Sequence, residues 1–385
     1  MMDIDINENE DLEYKIDAYG NRLCCLKKDK MKFFQTAPML IFGGSKTGKS
    51  TFMLNLMKEI SEQCTNFLFL TKTYKSEDDA NSIHRFIPKC FIKESLDLNV
   101  VDNFIKTAEK TYNEWKNSRN PNNLKQFIDL YKDYFNDEEY NQYCHKENLL
   151  VNLQISTTEK IKDNKNYDIN MQSKYDNDFG KIRSWIACKF ISDNIVDLEN
   201  LLENDENFKL KFLKIMSPEP KFALIIDDFT DEIKKYKGSG REKEKFKNIM
   251  TTLGTRSRHW NLCTIILLHS ADAFDNATFT SFHKIGFMSL DAVKDFKSNS
   301  STKHIPNKDL MMNIATKIYE KFSYICFVYD SIESKNYNFN SSYYTIKCDS
   351  IQNYDYINFN FNLNKLVKFF KDSEKYKMEI EMSGV

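Results

Sequence analysis

Gly43-Gly44-Ser45-Lys46-Thr47-Gly48-Lys49-Ser50 is the stretch from which the rest of the chain is read. It fits the pattern Gly, four residues, Gly-Lys-Ser/Thr. An apolar run, Met39-Leu40-Ile41-Phe42, precedes it, and a helix-like run, Thr51-Phe52-Met53-Leu54-Asn55-Leu56-Met57, comes after it. Strand, glycine loop and helix, in that order, form the context in which such a loop cradles phosphates. Glycine lacks Cβ, so the backbone can curl and approach an anion closely, and successive N–H groups form a nest. The helix opening near Gly48 adds its unsatisfied N–H groups and the positive end of its dipole. Three of the ten glycines fall within these eight residues, which an ordinary glycine turn does not account for. The expectation is a nucleoside triphosphate site built from Gly43, Gly44, Ser45, Lys46, Thr47, Gly48, Lys49, Ser50 and Thr51. Lys49 is expected on the β- and γ-phosphates and the Ser50 hydroxyl on Mg2+.

Bulk composition bounds the classes. With 385 residues, 41% hydrophobic and 29% charged, the chain fits one large domain with insertions, or two domains. A net charge of −1 excludes a polycation, so nucleic-acid contacts must come from local patches. No apolar run approaches the roughly 20 residues of a membrane span. The acidic stretch Met1 to Glu13 reads as a lead-in and not as a secretory signal. The nine cysteines form no CxxC pair; Cys24-Cys25 are adjacent and Cys144-His145 stand alone. Reduced thiols in a cytosolic compartment are expected. Only seven of the 55 basic residues are arginine, which makes each one informative, since lysine does not replace guanidinium chemistry freely.

The pattern along the chain predicts an α/β fold with a mainly parallel central sheet and a largely helical insertion. Five segments are expected: a lead-in, 1–37; a P-loop half of the core, 38–112; a mostly helical insertion, 113–215; a second half of the core with C-terminal strands, 216–350; and a tail, 351–385. Strands are expected at 39–43, 66–71 and 222–228, at 262–268 and 284–289, and at 323–329 and 342–347. A further strand at 86–92 would be broken by Pro88. Helices are expected at 49–62, 99–112 and 307–321, with a loop near 160–180 and a short basic helix in 361–380.

Four further constellations bear chemistry. Leu224-Ile225-Ile226-Asp227-Asp228 is an apolar run ending in acid. Beside a P-loop strand, Asp227 would hold Mg2+ through its water shell and Asp228 would act as general base on the attacking water; alone, the pattern also describes a strand ending at a turn. Thr255-Arg256-Ser257-Arg258-His259-Trp260-Asn261 holds two of the seven arginines. Either could complete a neighbouring copy's site, or simply form the cationic end of a helix. His269-Ser270 ends the 262–268 run; if the strands are neighbours a polar side chain there lies between the P-loop and Asp228, and His269 reads as a γ-phosphate sensor or as a surface histidine. Lys234, Lys235, Lys237 and Arg241 flank Gly238-Ser239-Gly240 and suit sequence-independent contact with DNA phosphates, although a solvated helix explains residues 242–247 equally well.

Taken together these elements resemble the genome-packaging ATPases of large cytoplasmic DNA viruses, the poxvirus-type branch of the FtsK–HerA superfamily. The likeness rests on the P-loop at 43–50, the strand ending Asp227-Asp228, the Arg258-His259-x-Asn261-Leu262 motif, and the pair formed by Tyr324-Ile325-Cys326-Phe327-Val328 and Tyr343-Tyr344. It covers roughly residues 35–100 and 218–350, and the helical region 113–215 has no counterpart in it. The family usually carries glutamine where this chain has His269. It often places an arginine after the sensor strand, and none stands around Phe282-His283-Lys284, so the trans-acting arginine is assigned to Arg258, with Arg256 second. The resemblance implies a RecA-like ATPase using ATP and Mg2+, assembled as a homo-oligomeric ring that threads double-stranded DNA into a preformed shell. It also implies capsid or internal-membrane vertex proteins as partners, and a place in the host cytoplasm or the virion. Two rival readings stay open, a P-loop nucleoside or nucleotide kinase and a nucleotide-gated binding scaffold. The arginine-rich lid expected of a kinase is missing between 70 and 215, where only Arg85, Arg119 and Arg183 occur.

Overall fold

The computed structural model describes residues 15–16, 21–25, 38–61, 63–64, 66–72, 87, 89–163, 168–303, 305, 307–322, 325–331 and 341–347. Ten strands form one sheet: β1 (Lys15–Ile16), β2 (Asn21–Cys25), β3 (Met39–Phe42), β4 (Asn66–Thr71), β5 (Ile92–Lys93), β6 (Phe222–Asp227), β7 (Leu262–Leu268), β8 (Lys284–Phe287), β9 (Ile325–Asp330) and β10 (Ser341–Lys347). Their order is β1-β2-β10-β9-β8-β3-β7-β6-β4-β5. From β8 to β5 every neighbour is parallel, whereas β9 runs antiparallel to both β8 and β10. The fold is therefore α/β and RecA-like, with a mainly parallel sheet. β3, β6 and β7 are near-continuous apolar runs, all but the tip of β6 buried, because helices cover both faces of a parallel sheet.

The chain divides into two compact units. One comprises Met1–Glu109 and Pro220–Leu363 and the other Lys110–Glu219 with Asn364–Val385. In the first, the sheet unit, helix α1 (Lys49–Ser61) buries Phe52, Met53, Leu56, Met57 and Ile60, a stripe one helix face wide. These pack with Met39 and Ile41 of β3 and Ile265 of β7. Helix α2 (Leu98–Ser118) contributes Val101 and Ile105 to the buried set, and Phe104 meets Phe222 edge-on at 6.1 Å.

The second unit, described over 110–163 and 168–219, is helical. It holds α3 (Pro121–Leu130), α4 (Asp137–Lys162), α5 (Ile169–Asn194), α6 (Leu198–Asn204) and α7 (Glu206–Met216). Side-chain caps start four of them, and α6 has none. Asn120 accepts from the Asn122 N–H with Pro121 at the first helical position, Asn136 accepts from Glu138 and Glu139, and Asp205 accepts from Phe208; each such cap contributes about 1 kcal/mol. The core is aromatic: Tyr131 meets Phe208 edge-on at 4.7 Å, and Phe190 lies 4.7 Å from both Phe135 and Tyr143. Glu147, 2% exposed, accepts from Arg183 Nε at 2.8 Å.

Three expectations are corrected. The polar stretch at 160–180 is mostly helical where it is described: α4 reaches Lys162 and α5 starts at Ile169, capped by Asp168, while residues 164–167 lie outside the described residues. Both helices are solvated on most sides there, so no apolar periodicity betrays them. The strand expected at 86–92 is a 3-10 turn at Lys89–Phe91 followed by the two-residue β5; proline has no N–H for a ladder. Last, the strand carrying Asp227 does not lie beside the P-loop strand, because β7 stands between β3 and β6. Residues 86, 88 and 324, the expected basic helix in 361–380 and most of the lead-in lie outside the described residues. Remaining helices of the sheet unit are α8 (Thr230–Lys235), α9 (Arg241–Arg256), α10 (Asn276–Ser281), α11 (Leu290–Ser298) and α12 (Lys308–Lys321). Among the described residues no helix is long and apolar enough to cross a membrane.

Candidate nucleotide site

The parallel strands end together. Phe42 is level with Leu268 and Phe287, and Asp227 with Leu267 and Thr71. The loops leaving these strands therefore gather at the carboxyl edge of the sheet, where open α/β sheets bind ligands. After β3 the loop is shaped by its own residues. Gly43 N–H donates to Leu268 O at 3.1 Å. A Cβ on Gly43 would meet Thr47 Oγ1 at 2.6 Å and Met288 Cβ at 2.8 Å, so only glycine fits. Thr47 Oγ1 donates to Gly44 O at 2.9 Å, and Gly48 has φ +90°, which L side chains rarely adopt. Gly43 and Thr47 thus hold the loop in form, while Gly44, Ser45, Lys46, Gly48, Lys49, Ser50 and Thr51 line a pocket. The first N–H groups of α1 open toward it, unsatisfied within the helix.

Asp227, Asp228 and His269 close the same pocket. Asp228 takes a left-handed conformation, φ +63°, tolerated by aspartate more than by most residues and a form of strain common at functional sites. Lys49 Nζ donates to Gly43 O at 2.5 Å and lies 2.8 Å from His269 Nδ1. His269 Nε2 is 2.6 Å from Asp228 Oδ1. A charged lysine has donors and no acceptor, so Nδ1 must accept and the ring proton sits on Nε2, donated to Asp228. Burial lowers the Lys49 pKa from its ordinary value, and Asp227 and Asp228 partly oppose this.

The pocket fits a magnesium triphosphate. It joins a hydroxyl, Ser50, and a carboxylate, Asp227, on a polar floor, and Mg2+ usually takes one or two protein oxygens together with phosphates and water. Among the described residues no group of three or more His, Cys, Asp or Glu side chains could hold a metal ion.

The two arginines are placed elsewhere. Arg256 ends α9, Arg258 sits in the 3-10 turn Ser257–Trp260, and both are exposed. That turn precedes β7, whereas His269 lies just past its end; a seven-residue strand separates the two ends by about 20 Å. Neither arginine reaches the pocket of its own chain. In the same motif Asn261 has φ +52°, its carbonyl accepts from Phe222 N–H at 3.0 Å and its Nδ2 donates to Pro220 O at 3.4 Å. It turns the chain and ties β7 to β6.

No protein-family model matches the chain, and no curated protein matches it. Solved structures similar to it include the genome packaging NTPase B204 from Sulfolobus turreted icosahedral virus 2, in complex with ATP-gammaS. That match is 9% identical with a TM-score of 0.31, covering 78% of this chain and 94% of that one. Another is the cytoplasmic domain of the Thermomonospora curvata type VII secretion ATPase EccC, 10% identical with a TM-score of 0.33, covering 86% of this chain; the match spans 28% of the EccC chain.

Contacts around α8 were invisible in the sequence. Thr230 Oγ1, buried, accepts the His269 N–H at 2.9 Å. Glu232 pairs with Lys72, the residue after β4; burial alone would raise its pKa, but the Lys72 hydrogen bond and charge bring it below the ordinary value. Lys234 pairs with Asp272 at 3.1 Å. Burial would raise the Asp272 pKa, yet hydrogen bonds from Ser270 and Lys234 hold it below the usual range. Of the four residues expected on DNA, Lys234 is thus engaged in the protein, Lys235 and Arg241 are exposed, and Lys237 is half-buried. Gly238 and Gly240 take φ +95° and +132°, and Tyr236 stacks on Phe246 at 4.9 Å beside them.

Proposed function

We propose that the chain is an ATPase whose hydrolysis moves double-stranded DNA through a ring of its own copies, packaging a viral genome. The reading rests on the convergence of Lys49, Ser50, Asp227, Asp228 and His269 on one pocket. Lys49 would hold the β- and γ-phosphate oxygens, and Ser50 and Asp227 the metal, directly and through water. Mg2+ bound with ATP supplies a cation that spreads the charge of the transferring phosphoryl group. Asp228 is the base that takes a proton from water, oriented by the Nε2–H of His269. Lys49 must leave Gly43 and His269 to reach a phosphate, which frees Nδ1 of His269 as an acceptor and makes that ring the reporter of an occupied site. An arginine of a neighbouring copy, Arg258 or Arg256, would complete the charge balance.

Coupling to DNA would run through α8. Its first residue holds the backbone of His269, and Lys234 near its end holds Asp272 three residues further along the same segment. A shift of 269–272 therefore carries α8 and the loop 236–240. Lys235, Lys237 and Arg241 would touch phosphates without reading bases, and binding would weaken steeply with salt. The ring, the duplex substrate, the capsid or internal-membrane vertex partners and the place in the host cytoplasm rest on the sequence resemblance.

Turnover measured with and without long duplex DNA at low salt tests the reading. DNA is expected to raise it, and Lys49→Ala to lower it about 100-fold or more. Phosphate transfer to a nucleoside would instead identify a kinase. Slow hydrolysis indifferent to nucleic acid would identify a nucleotide-gated scaffold.

A further inference from the structure

The helical unit carries a surface that its fold leaves uncovered. Helix α5 buries only Ala187, Phe190 and Ile191. Along another side Met171, Tyr175, Ile182 and Trp185 are exposed, Trp185 at 64%, as is Val196 just past the helix end. Positions 171, 175, 178, 182, 185 and 189 alternate spacings of four and three residues, so they form one stripe. From 171 to the helix end at Asn194 it spans about 35 Å at 1.5 Å per residue.

The charges on and beside this stripe, and the apolar residues at its middle, are self-complementary. Lys174, beside the stripe, answers Asp193, Asp178 answers Lys189 and Ile182 answers Trp185, while Tyr175 answers Ser192. Every one of these pairs is centred between Arg183 and Ser184. A second α5 laid antiparallel about that centre sets apolar on apolar and each cation on an anion, twice over. A parallel copy in register would set Lys174, Asp178, Lys189 and Asp193 each on its like, and opposed like charges of this kind select orientation. Lys146 of α4 lines a hollow with Trp185, Lys189 and Asp193. Leu149 and Leu153, exposed one and two turns further along the same side of α4, widen the apolar face. Contacts already made on the stripe do not compete. Asp178 and Lys181 are 3.3 Å apart but both more than half exposed, a pair worth little, and Lys189 Nζ rests 5.5 Å above the Trp185 ring.

We infer that this face docks a second copy of the chain, α5 against α5, antiparallel, about a two-fold axis at Arg183–Ser184. Such a contact closes at two copies. It is distinct from the head-to-tail contacts of a ring, would join two chains or two rings, and does not depend on the nucleotide site.

Sedimentation of the full-length chain without nucleotide at micromolar concentration tests this, with circular dichroism as the check on folding. The wild-type chain is expected as a dimer or a larger even-numbered assembly. Asp178→Lys and Lys189→Asp, separately, should each weaken pairing about 10-fold or more. Mixing the two variants should restore it, because each new lysine then meets a new aspartate; carrying both substitutions on one chain should restore it too. A wild-type chain that stays monomeric, single variants that keep the wild-type mass, or a mixture that fails to pair would overturn the inference.

Discussion

In the sheet unit no large hydrophobic side chain among the described residues is exposed, whereas in the helical unit Leu130, Leu149, Leu153, Ile182, Trp185 and Leu210, among others, face solvent. The sheet unit closes on its own apolar material. The polar groups that the strand ends deliver to one edge, Lys49, Asp227, Asp228 and His269, line one pocket. The helical unit builds a compact core that includes Phe127, Tyr131, Phe190 and Phe208 and runs α4 and α5 beyond it with apolar side chains, Trp185 included, uncovered. The lesson is that function is written differently in the two. In one it is a pocket of strained backbone and converging charges, and in the other a surface whose worth lies in what covers it.

The comparison can be broken or sharpened by substitution. The largest effect is expected in the helical unit. Arg183→Ala leaves the carboxylate of Glu147 buried and unpaired, at a cost of about 3–5 kcal/mol; denaturant unfolding measures it, and a loss below about 1 kcal/mol would show that this ion pair is not part of that unit's core. In the sheet unit, Asp228→Asn should lower turnover about 100-fold while nucleotide binding, measured separately, persists. Thr230→Val strands the His269 N–H and should cost about 1–3 kcal/mol of stability, with a parallel loss of DNA-stimulated turnover; unchanged stimulation would separate α8 from the coupling. Lys237→Ala is the smallest. Its expected signature is a uniform weakening on duplexes of any sequence, with the salt slope reduced by about one; a change restricted to one sequence would contradict a backbone contact.

Much of the sheet unit was legible. β3, β6 and β7 are uninterrupted apolar runs because both faces of a parallel sheet are covered, and the spacing of Gly43, Gly48, Lys49 and Ser50 is dictated by the size of a phosphate chain. Strand order is a tertiary matter, so the entry of β7 between β3 and β6 could not be read, whereas the place of His269 between the P-loop and Asp228 follows once the strands are taken as neighbours. Thr230, Lys72 and Asp272 are ordinary residues whose roles come from proximity alone. The left-handed Asn261 lay inside a recognised motif, yet its work is to turn the chain. In the helical unit the polar stretch from 169 to 180 hid a helix because solvent on most sides erases the 3.6-residue pattern. The uncovered stripe of α5 escaped notice for the opposite reason, since exposed and buried apolar residues look alike in a sequence.

Titration calorimetry of magnesium–ATP binding tests the central claim most directly, with the wild-type chain beside Lys49→Ala and Asp227→Asn. The geometry predicts that Lys49→Ala loses affinity about 100-fold, and that Asp227→Asn retains nucleotide but loses most of its dependence on magnesium. Equal affinities in all three chains, with and without the metal, would contradict a site in which the loop after β3 and the tip of β6 grip the same triphosphate.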